Sequence, residues 1–216
     1  MSIGTLPGNW VASVWRFARS RGSAVLESCE LCGAPIGASH RHLAEPGKHR
    51  LLCVCGTCAA LSGEDGNGLY RGVPENARRL ETFHMTDAEW DALGIPVGLA
   101  FFIFSSSQKR IAAFYPGPAG TMESLLDLRD WEQIAAANPG LHSLRPDVEA
   151  LLVNRVNGAR EYYLAPVDLC YALAGLIRKY WRGLSGGHAA WQEIGRFFSR
   201  LRERDPRVSA GVCGHD

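Results

Sequence analysis

Five of the seven cysteines in this chain lie within thirty residues, as two Cys-x-x-Cys pairs and one additional thiol. The pairs are Cys29 with Cys32 and Cys55 with Cys58, and 22 residues separate them. This spacing is typical of segments that fold around one metal ion held by four thiolates. The sequence therefore predicts a metal site formed by Cys29, Cys32, Cys55 and Cys58.

The residues around the two pairs indicate how the pairs meet. Gly33 follows the first pair and Gly56 lies inside the second, where a missing Cβ would let each turn fold back. Residues 39–44 and 48–54 are predicted strands, joined by a turn at 45–47. Such a hairpin returns the second pair to the first, which predicts a zinc-ribbon or rubredoxin-like module.

The identity of the ion and of every ligand stays open at this point. Zinc is the default for a four-thiolate site, iron is the alternative, and an iron–sulfur cluster ranks third. Cys53 shares a strand side with Cys55, so it is expected near the metal without binding it. His40 and His42 lie on the partner strand and are second-choice ligands that could replace a cysteine.

Composition and charge describe an ordinary globular protein of 216 residues, with 46% hydrophobic and 21% charged residues. The net charge of +1 argues against a dominant polyanionic partner. No apolar stretch reaches the length of a membrane span, and no secretory signal precedes the cysteines. The odd number of cysteines also fits a reducing compartment, so a cytoplasmic protein is expected.

The chain is predicted to be an α+β protein with two parts. Residues 9–62 are expected to form an N-terminal helix and the metal module. Residues 70–205 are expected to form a mixed body of antiparallel hairpins and C-terminal helices, which could also be integrated with the module as one domain. The expected elements of the body are a helix capped by Thr86, hairpins at 97–115 and 148–165, a helix at 126–137, and helices at 167–181 and after Gly187.

A search for catalytic patterns favours a non-enzymatic role. The chain has no Gly-x-Ser-x-Gly, His-Glu-x-x-His or Gly-x-Gly-x-x-Gly sequence, and no nucleophile–base pair is evident. Nucleic-acid binding by the ribbon is a weaker alternative. Arg41, Lys48 and Arg50 make its hairpin basic, but the hairpin lacks aromatic residues on which bases could stack.

Several stretches taken together resemble an uncharacterised family of small bacterial proteins encoded beside nickel–iron hydrogenase genes. They begin at Cys29, His40, Leu52, Ile95, Ala113, Pro146 and Trp181 and read CELCG, HRHL, LCVCGTC, IPVGLAFF, AFYPGPAG, PDVEALLV and WRGLSGG. The resemblance implies a metal-binding accessory protein that assists hydrogenase assembly or maturation through contacts with a hydrogenase subunit or maturation factor. An electron-transfer role, with iron at the four cysteines, is the alternative.

Overall fold

The computed structural model describes residues 27–46, 50–62, 68–117, 120–125 and 128–203. It is an α+β structure with antiparallel sheets and C-terminal helices, which confirms the predicted fold class. The chain divides into two units, residues 1–73 and 74–216. The expected N-terminal helix lies outside the described residues.

The first unit consists of short strands around a small apolar core. Its elements are β1 (Glu27–Ser28), β2 (Pro35–Ile36), β3 (Arg41–Glu45), β4 (Arg50–Val54), helix α1 (Gly56–Ser62) and β5 (Arg71–Gly72). β1 pairs with β2, and a second sheet has the order β4-β3-β5, with all pairs antiparallel. Leu43 is the cross-strand partner of Leu52, and Val54 lies two residues from Leu52, so the three side chains share one face of the sheet, where they are buried.

The second unit is built on a six-stranded antiparallel sheet with the order β6-β11-β10-β7-β8-β9. Its strands are β6 (Arg78–Arg79), β7 (Leu99–Ser105), β8 (Arg110–Gly117), β9 (Gly120–Leu125), β10 (Glu149–Asn154) and β11 (Glu161–Pro166). Its helices are α2 (Asp87–Ala92), α3 (Leu128–Ala137), α4 (Val167–Tyr180) and α5 (Gly187–Glu203), with short 3-10 turns at Pro139–Ser143 and Val156–Gly158. β7 and β10 occupy the middle of the sheet, which explains why nearly all of their residues are buried and most are apolar.

Local sequence signals set several boundaries of the second unit. Thr86 caps α2: its hydroxyl accepts from the Glu89 N–H at 3.2 Å, and its own N–H donates to the Glu89 carboxylate at 2.7 Å. Asn157 and Gly158 both have positive φ, at 53° and 78°, as a tight turn between β10 and β11 requires. Both features agree with the helix start and the hairpin predicted from the sequence.

Two elements differ from the sequence expectations. Residues 56–62 form helix α1, although the second cysteine pair was expected in a simple turn. Residues 120–125 form strand β9 along β8, in a segment between the predicted hairpin at 97–115 and the predicted helix at 126–137 for which no strand was expected. Among the described residues, no helix is both long and apolar enough to span a membrane.

Candidate metal centre

The first cysteine pair lies in a tight turn between β1 and β2. The Cys29 N–H donates to the Ala34 carbonyl at 2.7 Å, and the Gly33 N–H donates to the Cys29 carbonyl at 2.8 Å. Gly33 has a φ of 76°, a conformation that residues with a Cβ rarely adopt. Gly33 therefore has the role that the sequence predicts for it.

The second cysteine pair lies where β4 passes into α1. Cys55 directly follows β4, and Cys58 lies in the first turn of the helix. The Cys58 N–H donates to the Cys55 sulfur at 3.4 Å. Gly56 is not among the described glycines with positive φ, and a Cβ built on it would meet no atom within 4 Å. The reason given for Gly56 from the sequence is therefore wrong: the start of a helix, and not a left-handed glycine, forms the second turn.

The four predicted sulfurs converge on one point. The Sγ atoms of Cys29, Cys32, Cys55 and Cys58 all lie within 4.8 Å of one another. The Sγ atoms of Cys32 and Cys55 are 3.8 Å apart. A tetrahedral zinc ion with Zn–S bonds of about 2.3 Å separates its sulfurs by about 3.8 Å, whereas a disulfide requires about 2.05 Å. The arrangement fits a four-thiolate metal ion, and all four cysteines are free.

The pKa values of the cysteine thiols indicate which proton a bound cation would displace. Burial raises the pKa of Cys29, but hydrogen bonds from the backbone N–H groups of Cys55, Cys32 and Leu31 outweigh it and lower this pKa to about 6. Hydrogen bonding to the thiols of Cys32 and Cys55, with burial, raises the pKa of Cys58 to about 12. One sulfur thus ionises readily while another retains its proton, and a divalent cation would displace that proton on binding.

Glu30, inside the first cysteine pair, joins the two halves of the site. Its carboxylate accepts from the Cys53 N–H at 2.8 Å and from the Arg50 guanidinium at 2.7 Å. Its own N–H donates to the Cys53 carbonyl at 2.9 Å. Reasoning from the sequence missed this residue, because a single acidic residue between two cysteines gives no signal of its distant partner.

Cys53, His40 and His42 do not enter the four-cysteine group. Their donor atoms form a second group in which all lie within 4.8 Å of one another. The predicted choice of Cys55 over Cys53 agrees with this grouping. Cys29 is buried and Cys32 is exposed, so the four-thiolate site lies between the small core and the surface.

Fold and site together define an α+β protein with a small four-cysteine module that could hold a metal ion. The chain belongs to a family of unknown function (DUF5947), whose model matches residues 28–205. No curated protein and no solved structure matches the chain.

Proposed function

We propose that this chain is a non-catalytic, metal-binding accessory protein in which Cys29, Cys32, Cys55 and Cys58 hold one structural Zn²⁺ ion. The convergence of the four sulfurs, with one pair at the 3.8 Å spacing of a tetrahedral zinc site, carries the proposal. Zinc would stabilise a small module in which a cluster of five buried residues packs together: Cys29, Ile36, Leu43, Leu52 and Val54.

The metal assignment is tested by replacing ligands one at a time. Cys29→Ser and Cys58→Ser are expected to lose the ion of this site and to leave the first unit unfolded or insoluble. Cys170→Ala is the matched control, since it removes a buried thiol of α4 in the second unit and should leave the metal content unchanged. Elemental analysis of each purified protein gives the readout. Unchanged metal content and folding in the two serine variants would contradict the assignment.

A rubredoxin-like electron-transfer role is the second candidate, with iron in the same four-cysteine site. Two observations favour it. Cys32 is exposed, which shortens the path for an electron to a partner, and the Cys55 sulfur accepts a backbone hydrogen bond of the kind that tunes iron–thiolate potentials. An absorption spectrum separates the candidates, because a ferric four-thiolate site is red and a zinc site is colourless. Nucleic-acid binding has weaker support, since Arg50 of the basic hairpin is paired with Glu30.

The accessory role requires a protein partner, and the first unit has exposed apolar side chains that such a partner could contact. Leu61 is 76% exposed and Leu69 is 57% exposed. The resemblance to proteins encoded beside hydrogenase genes implies that this partner is a hydrogenase subunit or maturation factor. The predicted cytoplasmic location is part of the same proposal.

Co-purification under hydrogenase-expressing conditions tests the partner. A tagged wild-type chain is expected to retain a hydrogenase structural or maturation protein, identified by mass spectrometry. Leu61→Asp should weaken its recovery, while Leu184→Asp, at an 86% exposed position in the second unit, is the matched control and should not. Failure of the wild-type chain to recover any such protein would contradict the hydrogenase role and leave the metal assignment intact.

A further inference from the structure

Three metal-binding side chains of the first unit are not used by the four-cysteine site. His42 and Cys53 are direct partners across the β3–β4 pair, and His40 lies two residues before His42. Directly opposed residues of antiparallel strands project from the same face, and so do residues two apart. One ring nitrogen from each histidine and the Cys53 sulfur therefore meet, all within 4.8 Å of one another.

The hydrogen bonding of His40 prepares it to bind a cation. Its Nδ1 lies 2.8 Å from the Gly37 carbonyl oxygen, which can only accept, so Nδ1 carries the proton. The lone pair is then on Nε2, which is buried and has no hydrogen-bond partner. The His40 side chain is only 9% exposed, so an unsatisfied acceptor there is costly unless a ligand meets it.

Metal-binding histidines commonly donate their second ring N–H to a carbonyl or carboxylate, which fixes the tautomer and the ring orientation. His40 has both kinds of acceptor near Nδ1: the Gly37 carbonyl, and the Glu27 carboxylate at 3.7 Å. The ring of His42 stands edge-on to that of His40, with the centroids 4.8 Å apart. These contacts hold the first imidazole in place before any ion arrives.

We propose that His40, His42 and Cys53 form a second metal site, separate from the four-cysteine site, that binds one Zn²⁺ ion through three protein ligands. Donor atoms within 4.8 Å of one another share a point no more than about 2.8 Å from all three, so small side-chain rotations reach zinc ligand distances of about 2.0–2.3 Å. A mixed set of two imidazoles and one thiolate is suited to zinc.

The coordination number distinguishes this site from the first. Three protein ligands leave the fourth position of a tetrahedral zinc ion for water or for an exchangeable donor. The four-cysteine site is closed around its ion, whereas the second site is open and able to exchange its ligand.

Zinc stoichiometry tests the proposal in the full chain. The wild-type protein, saturated with zinc and freed of excess, is expected to hold two zinc ions by native mass spectrometry. His40→Gln and Cys53→Ser should each reduce this number to one. Arg41→Gln is the matched control, because Arg41 lies between the two histidines on the opposite face of β3 and should leave two. One zinc ion in the wild-type protein, unchanged in His40→Gln and Cys53→Ser, would overturn the proposal.

A second measurement, cadmium NMR, uses only the wild-type protein and so does not depend on whether a variant folds. Cadmium replaces zinc in both kinds of site, and its NMR resonance depends strongly on the number of sulfur ligands. Wild-type protein saturated with cadmium is expected to show two resonances, one for four sulfurs and one for a single sulfur with two nitrogens. A lone four-sulfur resonance at saturation would overturn the second site.

Discussion

Glu30 provides the sharpest test of how the four-cysteine site is held together. It links the first cysteine turn to β4 through its carboxylate and through its own N–H, both bonded to Cys53. Glu30→Ala removes the carboxylate, so the Cys53 N–H loses its charged acceptor. A hydrogen bond to a charged group contributes about 1.5–3 kcal/mol, and the half-exposed ion pair with Arg50 adds at most about 1 kcal/mol.

The expected loss is therefore about 2 kcal/mol from the metal-bound fold. Because the bridge forms only when the two cysteine turns are together, this loss corresponds to a zinc affinity roughly thirtyfold weaker. The affinity is measured by competition with a chromophoric chelator, and the thermal midpoint of the zinc-loaded protein is followed in parallel. Glu30→Ala should shift both.

Two further variants separate the contributions of the bridge. Glu30→Gln keeps an oxygen for the Cys53 N–H and should retain most of the affinity. Arg50→Gln removes the ion pair but leaves the bridge, so its effect should stay below about 1 kcal/mol. A Glu30→Ala protein with zinc affinity within threefold of wild type would refute the bridge, and so would an Arg50→Gln protein that is equally damaged.

Four other outcomes are expected. Gly33→Ala should lower the free energy of unfolding by about 1 kcal/mol because φ is 76°, whereas Gly56→Ala should be neutral or slightly stabilising; thermal denaturation of the zinc-loaded proteins compares them. Thr86→Ala should cost about 1 kcal/mol in urea unfolding at pH 7. Hydrogen bonds from Thr86 lower the pKa of Glu89 from 4.5, so stability from the cap is complete above that value and is lost as the pH falls through the lowered pKa. Asn138→Ala should cost about 2–4 kcal/mol in the same assay, because a buried amide would lose bonds to residue 84 and to the end of α3. Removal of zinc by a chelator should increase hydrogen exchange in residues 27–62 and leave β7 and β10 protected.

Features of the fold that depend on neighbouring residues were predictable from the sequence. The Thr86 cap needs only Glu89 three residues later, and the turn at Asn157-Gly158 needs only two residues that tolerate positive φ. The apolar residues of β7, from Leu99 to Phe104, predict a buried strand without reference to its neighbours in the sheet. In each case the physical cause lies within a few positions of its effect.

Features that depend on distant pairing were not predictable. β9, with the sequence Gly-Thr-Met-Glu-Ser-Leu, has little apolar character of its own. It is the last strand in the order of the sheet, and it pairs with β8 through six residues. Its formation therefore depends on β8 and not on its own sequence pattern. The Glu30 bridge is similar, because the N–H that it satisfies belongs to a strand more than twenty residues away.

The positions of the clustered cysteines depend on both local sequence and distant pairing. Spacing predicted which four cysteines come together, whereas strand alternation predicted that Cys53 lies on the same side as Cys55 and close to them. The structure separates them because β4 ends at Val54 and α1 begins at Gly56, so the chain changes direction at Cys55. Cys53 stays in the strand and faces His42, whereas Cys55 turns toward the first pair.

The unequal cores of the two units are consistent with the concentration of the candidate metal ligands in one of them. Among the described residues, the second unit has a cluster of fifteen buried hydrophobic residues, whereas the first has a cluster of five that includes the candidate ligand Cys29. A small core contributes less hydrophobic free energy to offset the conformational entropy of ordering its strands. A metal ion that joins residues far apart in the chain can supply the difference, since its binding free energy is available to folding. For the first unit, binding the metal and folding are thus expected to be one process.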